Sequence, residues 1–181
     1  MSRTALVIET PPSAQLSSLR RGLSADARAG VPPHVTILFP FVPASGLDAS
    51  ALSVVVRTIG RIPAFDFALT TTGWFGDQVL WLGPEDPAPF VELTGAVHRA
   101  FPGYPPYGGA HDGCVPHATV GDTGTLDQLK VAERQITRVL PLTGRASAVT
   151  LLVESAYGYW RSSRSIPLQD PKTNRGCLPH H

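Results

Sequence analysis

The chain has 181 residues, 43% of them hydrophobic, enough to bury one core and within the size range of one domain. Fifteen Lys plus Arg against fourteen Asp plus Glu leave a formal charge of +1, which excludes a broad footprint for gripping long duplex nucleic acid. No stretch approaches the ~20 apolar residues of a membrane span, and Cys114 and Cys177 lack the spacing of a disulfide framework or a zinc site. A monomer in a reducing cytoplasm is expected, because the apolar run at the N-terminus meets Glu9 and two prolines too soon for a secretory signal.

In chain order, Thr4 to Glu9 reads as a short buried strand, and Ser13 to Ala29, with Leu16, Leu19 and Leu23 at spacings of three and four, as one amphipathic helix. His34 to Phe41 reads as a strand between Pro33 and Pro43, and Asp48 to Ile59 as a helix capped by Asp48 or Ser50 with Gly60 past its end. Phe65 to Phe75 and Gln78 to Leu82 form a hairpin through Gly76-Asp77. Phe90, Leu93, Val97 and Phe101 mark a helical face that Pro102-Gly103 closes. The segment from Gly103 to Gly113 is dense in turn residues and forms a surface loop, followed by a strand from Pro116 to Gly121. Thr125-x-x-Gln128 opens a helix that runs to Leu140, where Pro141 stops it. Ala146 to Glu154 and Gly158 to Leu168 are two closing strands, and 169–181 is a loosely ordered tail.

This order repeats approximately: each half of residues 1–168 carries a Pro-His-x-Thr strand, then a helix, then a two-strand hairpin. The pattern indicates an α+β protein with antiparallel sheets rather than a parallel wound sheet, folded as one domain of two pseudo-symmetric lobes.

Within a strand, residues two apart share a face, so His34 and Thr36 project together, continued by Leu38 and Pro40, while Val35, Ile37, Phe39 and Phe41 line the core side. The same parity puts His117 and Thr119 on one face and Ala118 and Val120 on the other. Two imidazoles, each free to carry a proton near neutrality, supply a base for an attacking hydroxyl and an acid for a leaving oxygen. Each Thr hydroxyl can donate to a non-bridging phosphate oxygen. Such chemistry needs no metal, and a His-ligated metal site is disfavoured because only two ligands converge and no carboxylate has the right spacing.

The segments Gly30-Val-Pro-Pro-His-Val-Thr-Ile-Leu-Phe-Pro-Phe41 and Tyr104 to Val120, with their two His-x-Thr motifs 83 positions apart (117 − 34), resemble the 2H phosphoesterase superfamily, in its 2'-5' RNA ligase-like branch. The resemblance runs from Leu6 to Leu168. It implies a bilobal duplicated fold with two antiparallel sheets around a central cleft and helices outside. It also implies cofactor- and metal-independent hydrolysis of 2',3'-cyclic phosphates or related nucleotide and RNA-end phosphodiesters, and in some members 2'-5' RNA ligation. By motif position His34 matches the proton donor and His117 the proton acceptor, with Thr36 and Thr119 on the phosphate. A nucleotide-binding module without turnover is the alternative on the same fold. Tyr107, ten positions before His117, is a candidate substrate contact, and His111 a weaker one. Trp74, Trp81 and Trp160 read as core or sheet-face residues, although stacking would suit a nucleotide site. Arg161 and Arg164 read as edge-strand protection or contacts to a second phosphate.

Overall fold

The computed structural model describes residues 2–109 and 115–170. Eight strands are present among them: β1 (Thr4–Glu9), β2 (His34–Leu38), β3 (Phe65–Phe75), β4 (Val79–Pro84), β5 (Ala118–Gly121), β6 (Leu142–Ala146), β7 (Ala148–Glu154) and β8 (Trp160–Pro167). They form two antiparallel sheets of four, in the orders β2-β1-β7-β8 and β5-β4-β3-β6, so the α+β class and the paired sheets are as the sequence indicates. The helices are α1 (Ala14–Leu23), α2 (Ala25–Arg28), α3 (Ala49–Ile59), α4 (Ala88–Ala100) and α5 (Leu126–Thr137). Helices α3 and α4 pack together and reach β8 and β2, while α1 and α5 pack together and reach β5, β3 and β4.

One continuous apolar core joins both sheets to the helices, taking Leu6, Ile8, Val35 and Ile37 from the first sheet and Leu80, Leu82, Ala118 and Val120 from the second. Burying each such aliphatic side chain contributes about 1.5–3 kcal/mol. On the opposite face of the first sheet, Ala5, Val7, Val31 and Leu152 form a second, smaller cluster with Phe39 and Trp160 against it. That face carries the alternate residues of β1 and looks away from the main core.

Each histidine strand is followed by a helix and then by strands, two after α3 and three after α5, but the pairing does not keep each half to itself. The hairpin β3–β4, which follows the first histidine strand, builds the sheet of the second, and the hairpin β7–β8 builds the sheet of the first. The two halves therefore interlock, because a hairpin's apolar face fixes that it must be covered but not by which sheet edge.

Other boundaries moved for local reasons. The helix expected over Ser13–Ala29 breaks at Ser24, which is extended (φ −122, ψ 131). There the Leu23 carbonyl accepts from the amides of Asp122 and Thr123, and Asp122 Oδ1 accepts from Ala25 N at 2.9 Å, so the turn after β5 caps both helix ends. Strand β2 stops at Leu38, and its register against β1 slips by one residue between the pairs Leu6↔Leu38 and Val7↔Thr36. This bulge reverses the alternation, so Ile37 and Leu38 both point into the core and Leu38 does not continue the histidine face, whereas Phe39 turns to the smaller cluster. The apparent closing strand from Ala146 conceals a sheet switch at Ser147, since the polar run Leu142–Ala146 pairs with β3 and Ala148–Glu154 with β1. Helix α5 begins with the expected capping box at Thr125 and Gln128 but ends at Thr137 rather than Leu140, and Asp48, not Ser50, caps α3.

Candidate active site

Strands β2 and β5 are the outer edges of their sheets and contact each other without sharing a ladder. His34 opens β2, and His117 stands one residue before β5. Both imidazoles are anchored alike: Nδ1 of His34 donates to the Pro32 carbonyl at 2.8 Å, and Nδ1 of His117 to the Val115 carbonyl at 2.7 Å. A carbonyl can only accept, so each Nδ1 carries its hydrogen and, in the neutral ring, each Nε2 is left with its lone pair. Thr119 lies directly across the ladder from Trp81, and the Trp81 ring packs on His117, which places Thr119 and His117 on one face.

The two imidazoles then diverge. Thr36 Oγ1 lies 3.1 Å from His34 Nε2, and with the ring hydrogen on Nδ1 the hydroxyl is the donor. Burial pushes the His34 pKa down to about 4; the Pro32 carbonyl opposes this, and the charges of Arg20 and His117 add to it. His117 is also pushed below the ordinary histidine value by burial, against its bond to Val115. Its ring meets Phe75 edge to face, with centroids 4.9 Å apart, and lies 6.0 Å from Trp81.

Arg20, on α1, is 1% exposed. Its guanidinium donates to the carbonyl of Thr119 on β5 and, at 3.4 Å, to that of Val31 just ahead of β2. One buried cation thus holds a carbonyl of β5 and another three residues ahead of β2, beside both histidines. Burial lowers the Arg20 pKa, while Asp26 and Asp122 oppose that, and Nε has no partner among the described residues. Helical spacing puts Arg20 four residues after Leu16 and three before Leu23, on the apolar face of α1, and turns Arg21 away from it, so an arginine on that face is the mark this residue leaves in the sequence.

Each histidine has its own aromatic wall. Beside His34 and Thr36, a slot is lined by Ala5, Val7, Val31, Leu152, Phe39 and Trp160, with Asp26 as its one acidic residue among the described residues. Phe39 and Trp160 meet at 6.0 Å and 67°, and the Arg3 guanidinium, clamped by Glu154, lies over both rings. Beside His117, the Trp81 indole lies across Gly73, where an added Cβ would come within 2.3 Å of it, so glycine is what lets the ring lie flat on the strand. Phe75 extends this shelf and is 40% exposed. Trp81 and Trp160 thus face the cleft. Trp74 instead donates to Glu133 Oε1 at 2.9 Å beside Thr72 and belongs to the packing under α5.

Tyr107 is held with φ +53 and donates its amide to the Phe39 carbonyl at 2.8 Å, which ties its loop to the end of β2. His111, Cys114, Cys177 and the tail 171–181 lie outside the described residues. Arg161 and Arg164 pair across from Val153 and Leu151, which face the main core, so they lie on the side of β8 away from the slot. Among the described residues no group of three or more His, Cys, Asp or Glu is gathered to hold a metal ion, and no helix is long and apolar enough to cross a membrane.

Comparison with known proteins fits this geometry. Escherichia coli LigT in its apo form is 20% identical with a TM-score of 0.55, over 93% of this chain and 98% of that chain. LigT complexed with 3'-AMP is 18% identical with a TM-score of 0.53, over 93% of this chain and 98% of that chain. TT0787 of Thermus thermophilus is 17% identical with a TM-score of 0.60, over 93% of this chain and 99% of that chain. At these identities the likeness is one of fold. No curated protein matches the sequence. The family model of the 2'-5' RNA ligase superfamily matches residues 8–158, a span that contains both histidine strands and the β3–β4 hairpin, and the chain belongs to that superfamily.

Proposed function

We propose that the chain is a phosphodiesterase acting on 2',3'-cyclic phosphates or related nucleotide and RNA-end phosphodiesters, with His34 and His117 as its acid–base pair and no metal in the chemistry. The observation that carries this reading is the pair of matched imidazoles on facing strand edges, each with Nδ1 fixed by a carbonyl and Nε2 turned to reaction. When a ribose hydroxyl attacks its neighbouring diester, His34 Nε2 takes its proton as the new O–P bond forms. His117 Nε2–H protonates the leaving oxygen as the old bond breaks. His34 is the harder of the two to protonate, which favours it as the base in that direction. Opening of the cyclic phosphate by water runs with the roles exchanged, His117 as base and His34 as acid, the assignment implied by the resemblance. The Thr36 and Thr119 hydroxyls donate to non-bridging oxygens, Thr36 leaving His34 Nε2 to do so.

A complex of LigT with 3'-AMP, a nucleoside monophosphate of the kind cyclic-phosphate opening yields, supports the choice of substrate. The Trp81 shelf offers an aromatic surface to a second nucleoside, and with a 5'-hydroxyl in place of water the same transfers would form a 2'-5' linkage.

The test is turnover of 2',3'-cyclic mononucleotides and of 2'-5' and 3'-5' dinucleotides by the purified protein. Activity should persist in chelator and follow a bell-shaped pH profile, and His34→Ala and His117→Ala should each lower kcat by about 10²-fold or more while leaving a cooperative melt. Activity lost to chelator and restored by a divalent ion would overturn the metal-free chemistry. Nucleotide binding with no turnover at any pH would leave a binding module.

A further inference from the structure

The slot beside His34 has an unusual composition for a phosphate site. Of its nine described lining residues six are apolar, His34 and Thr36 serve the phosphate, and one acidic residue remains, Asp26 at the start of α2. Two of the apolar walls, Phe39 and Trp160, are flat rings held by each other and by the Arg3 guanidinium, itself fixed through two bonds of 2.8 and 2.6 Å to Glu154. Preset aromatic walls suit a flat heterocycle, which gains from stacking at little ordering cost. Asp26 is exposed at the rim, within electrostatic reach of Arg3 and Arg20, and its backbone carbonyl is held by the Val31 amide at 2.9 Å.

We infer that this slot holds the nucleobase of the substrate and that Asp26 reads the base's edge, favouring guanine. The inference rests on the phosphodiesterase reading above. Its chemistry is that of donors and acceptors. A carboxylate only accepts. Guanine presents two adjacent N–H donors, N1–H and the 2-amino group, and can pair with both carboxylate oxygens. Adenine and cytosine each offer one amino group beside a ring nitrogen that also accepts, so one bond forms next to a repulsion. Uracil offers a single N–H flanked by two carbonyl oxygens. The expected order of preference is therefore guanine, then adenine and cytosine, then uracil. Two charge-assisted bonds against one or none should separate guanine from uracil by about tenfold or more in kcat/KM.

The experiment measures kcat/KM for the four 2',3'-cyclic mononucleotides with wild type and Asp26→Asn, alongside calorimetric binding of guanosine and adenosine monophosphates. The inference expects guanine first in both measurements. Asp26→Asn, which replaces one accepting oxygen by a donor, should collapse the guanine preference to within about twofold, and a thermal melt confirms that the variant folds. Equal turnover of all four by wild type, or a guanine preference that survives in Asp26→Asn, overturns the inference and leaves the phosphodiesterase reading standing. If no diester is turned over, that reading fails by itself. Binding still judges the slot, since equal affinity for the two monophosphates overturns it and a guanine preference lost in Asp26→Asn upholds it.

Discussion

The first histidine strand and the second begin from nearly the same words, Pro-His-Val-Thr and Pro-His-Ala-Thr, and reach the same backbone bond, imidazole Nδ1 to the carbonyl two residues back. Their surroundings differ. His34 has a hydroxyl on its Nε2, a buried guanidinium nearby and an apolar slot at its side, and its pKa falls to about 4. His117 stands against the edges of Phe75 and Trp81, with a smaller displacement and no side-chain partner on Nε2 among the described residues. A duplicated motif thus supplies two equivalent nitrogens, and the unduplicated surroundings make one of them the harder to protonate. Such a difference biases which imidazole carries the proton when only one is protonated.

The largest expected consequence is in stability against pH. His34 has a folded-state pKa of about 4 against 6.5 in the unfolded chain, so between those values the unfolded state binds more protons. Stability from this group is complete above about pH 6.5 and is lost as the pH falls toward 4. The loss is of the order of 3 kcal/mol from two and a half units at about 1.36 kcal/mol each. Denaturant melts of wild type and His34→Gln between pH 7 and 4 measure it: wild type should lose stability more steeply than the variant, while a His117→Gln protein should keep most of the steepness. Parallel curves for wild type and His34→Gln would erase the difference between the two sides.

Much of this arrangement was legible in the sequence, and the limits have physical causes. Parity alone assigned Val35, Ile37, Ala118 and Val120 to the core, and all four are buried. Parity failed at Leu38, where a bulge intervenes, and a bulge leaves no mark in a run of apolar residues. The exchange of hairpins was not legible either, since β3–β4 and β7–β8 are both amphipathic and the edge each joins is settled by tertiary pairing, β4 with β5 and β7 with β1. Trp81 could have been placed on the cleft from its parity with Leu80 and Leu82 and from its glycine neighbours. Arg20 could also have been singled out, as an arginine between Leu16 and Leu23 on the apolar face of α1, but its partners and the place of Asp26 could not, because they come from what α1 and α2 are packed against.

The two threonines sharpen the comparison at a smaller scale. Thr36→Val and Thr119→Val should each lower kcat by about 10²-fold through loss of a donor that tightens on the phosphate in the transition state. Only Thr36 also donates to an imidazole, a bond that favours the neutral ring. In Thr36→Val the acidic limb of the kcat/KM profile for dinucleotide cleavage should therefore move to higher pH, whereas in Thr119→Val it should stay. Identical profiles in the two variants would remove Thr36 from the account of His34.

Arg20 is where the two sides meet, and its replacement tests whether they are coupled at all. Arg20→Met keeps most of the apolar stem but removes the donors that serve Thr119 O and Val31 O, leaving two edge carbonyls short of a partner at about 1–3 kcal/mol each. Against this, burying the cation with an unpartnered Nε is itself costly, and methionine relieves it. The net destabilisation should be about 1–3 kcal/mol, read as a shift in the denaturation midpoint. The rate profile carries the decisive sign. Arg20 lowers the His34 pKa through its charge, so its loss lets His34 protonate more easily and shifts the acidic limb of dinucleotide cleavage upward. Because the same side chain also holds the Thr119 carbonyl, kcat should fall even at the new optimum, and Arg20→Lys, which keeps the charge but not the fork, should restore the limb more fully than the rate. A variant that loses stability while keeping both limb and rate would make Arg20 a packing residue, and the two histidine strands would then be neighbours without a common device.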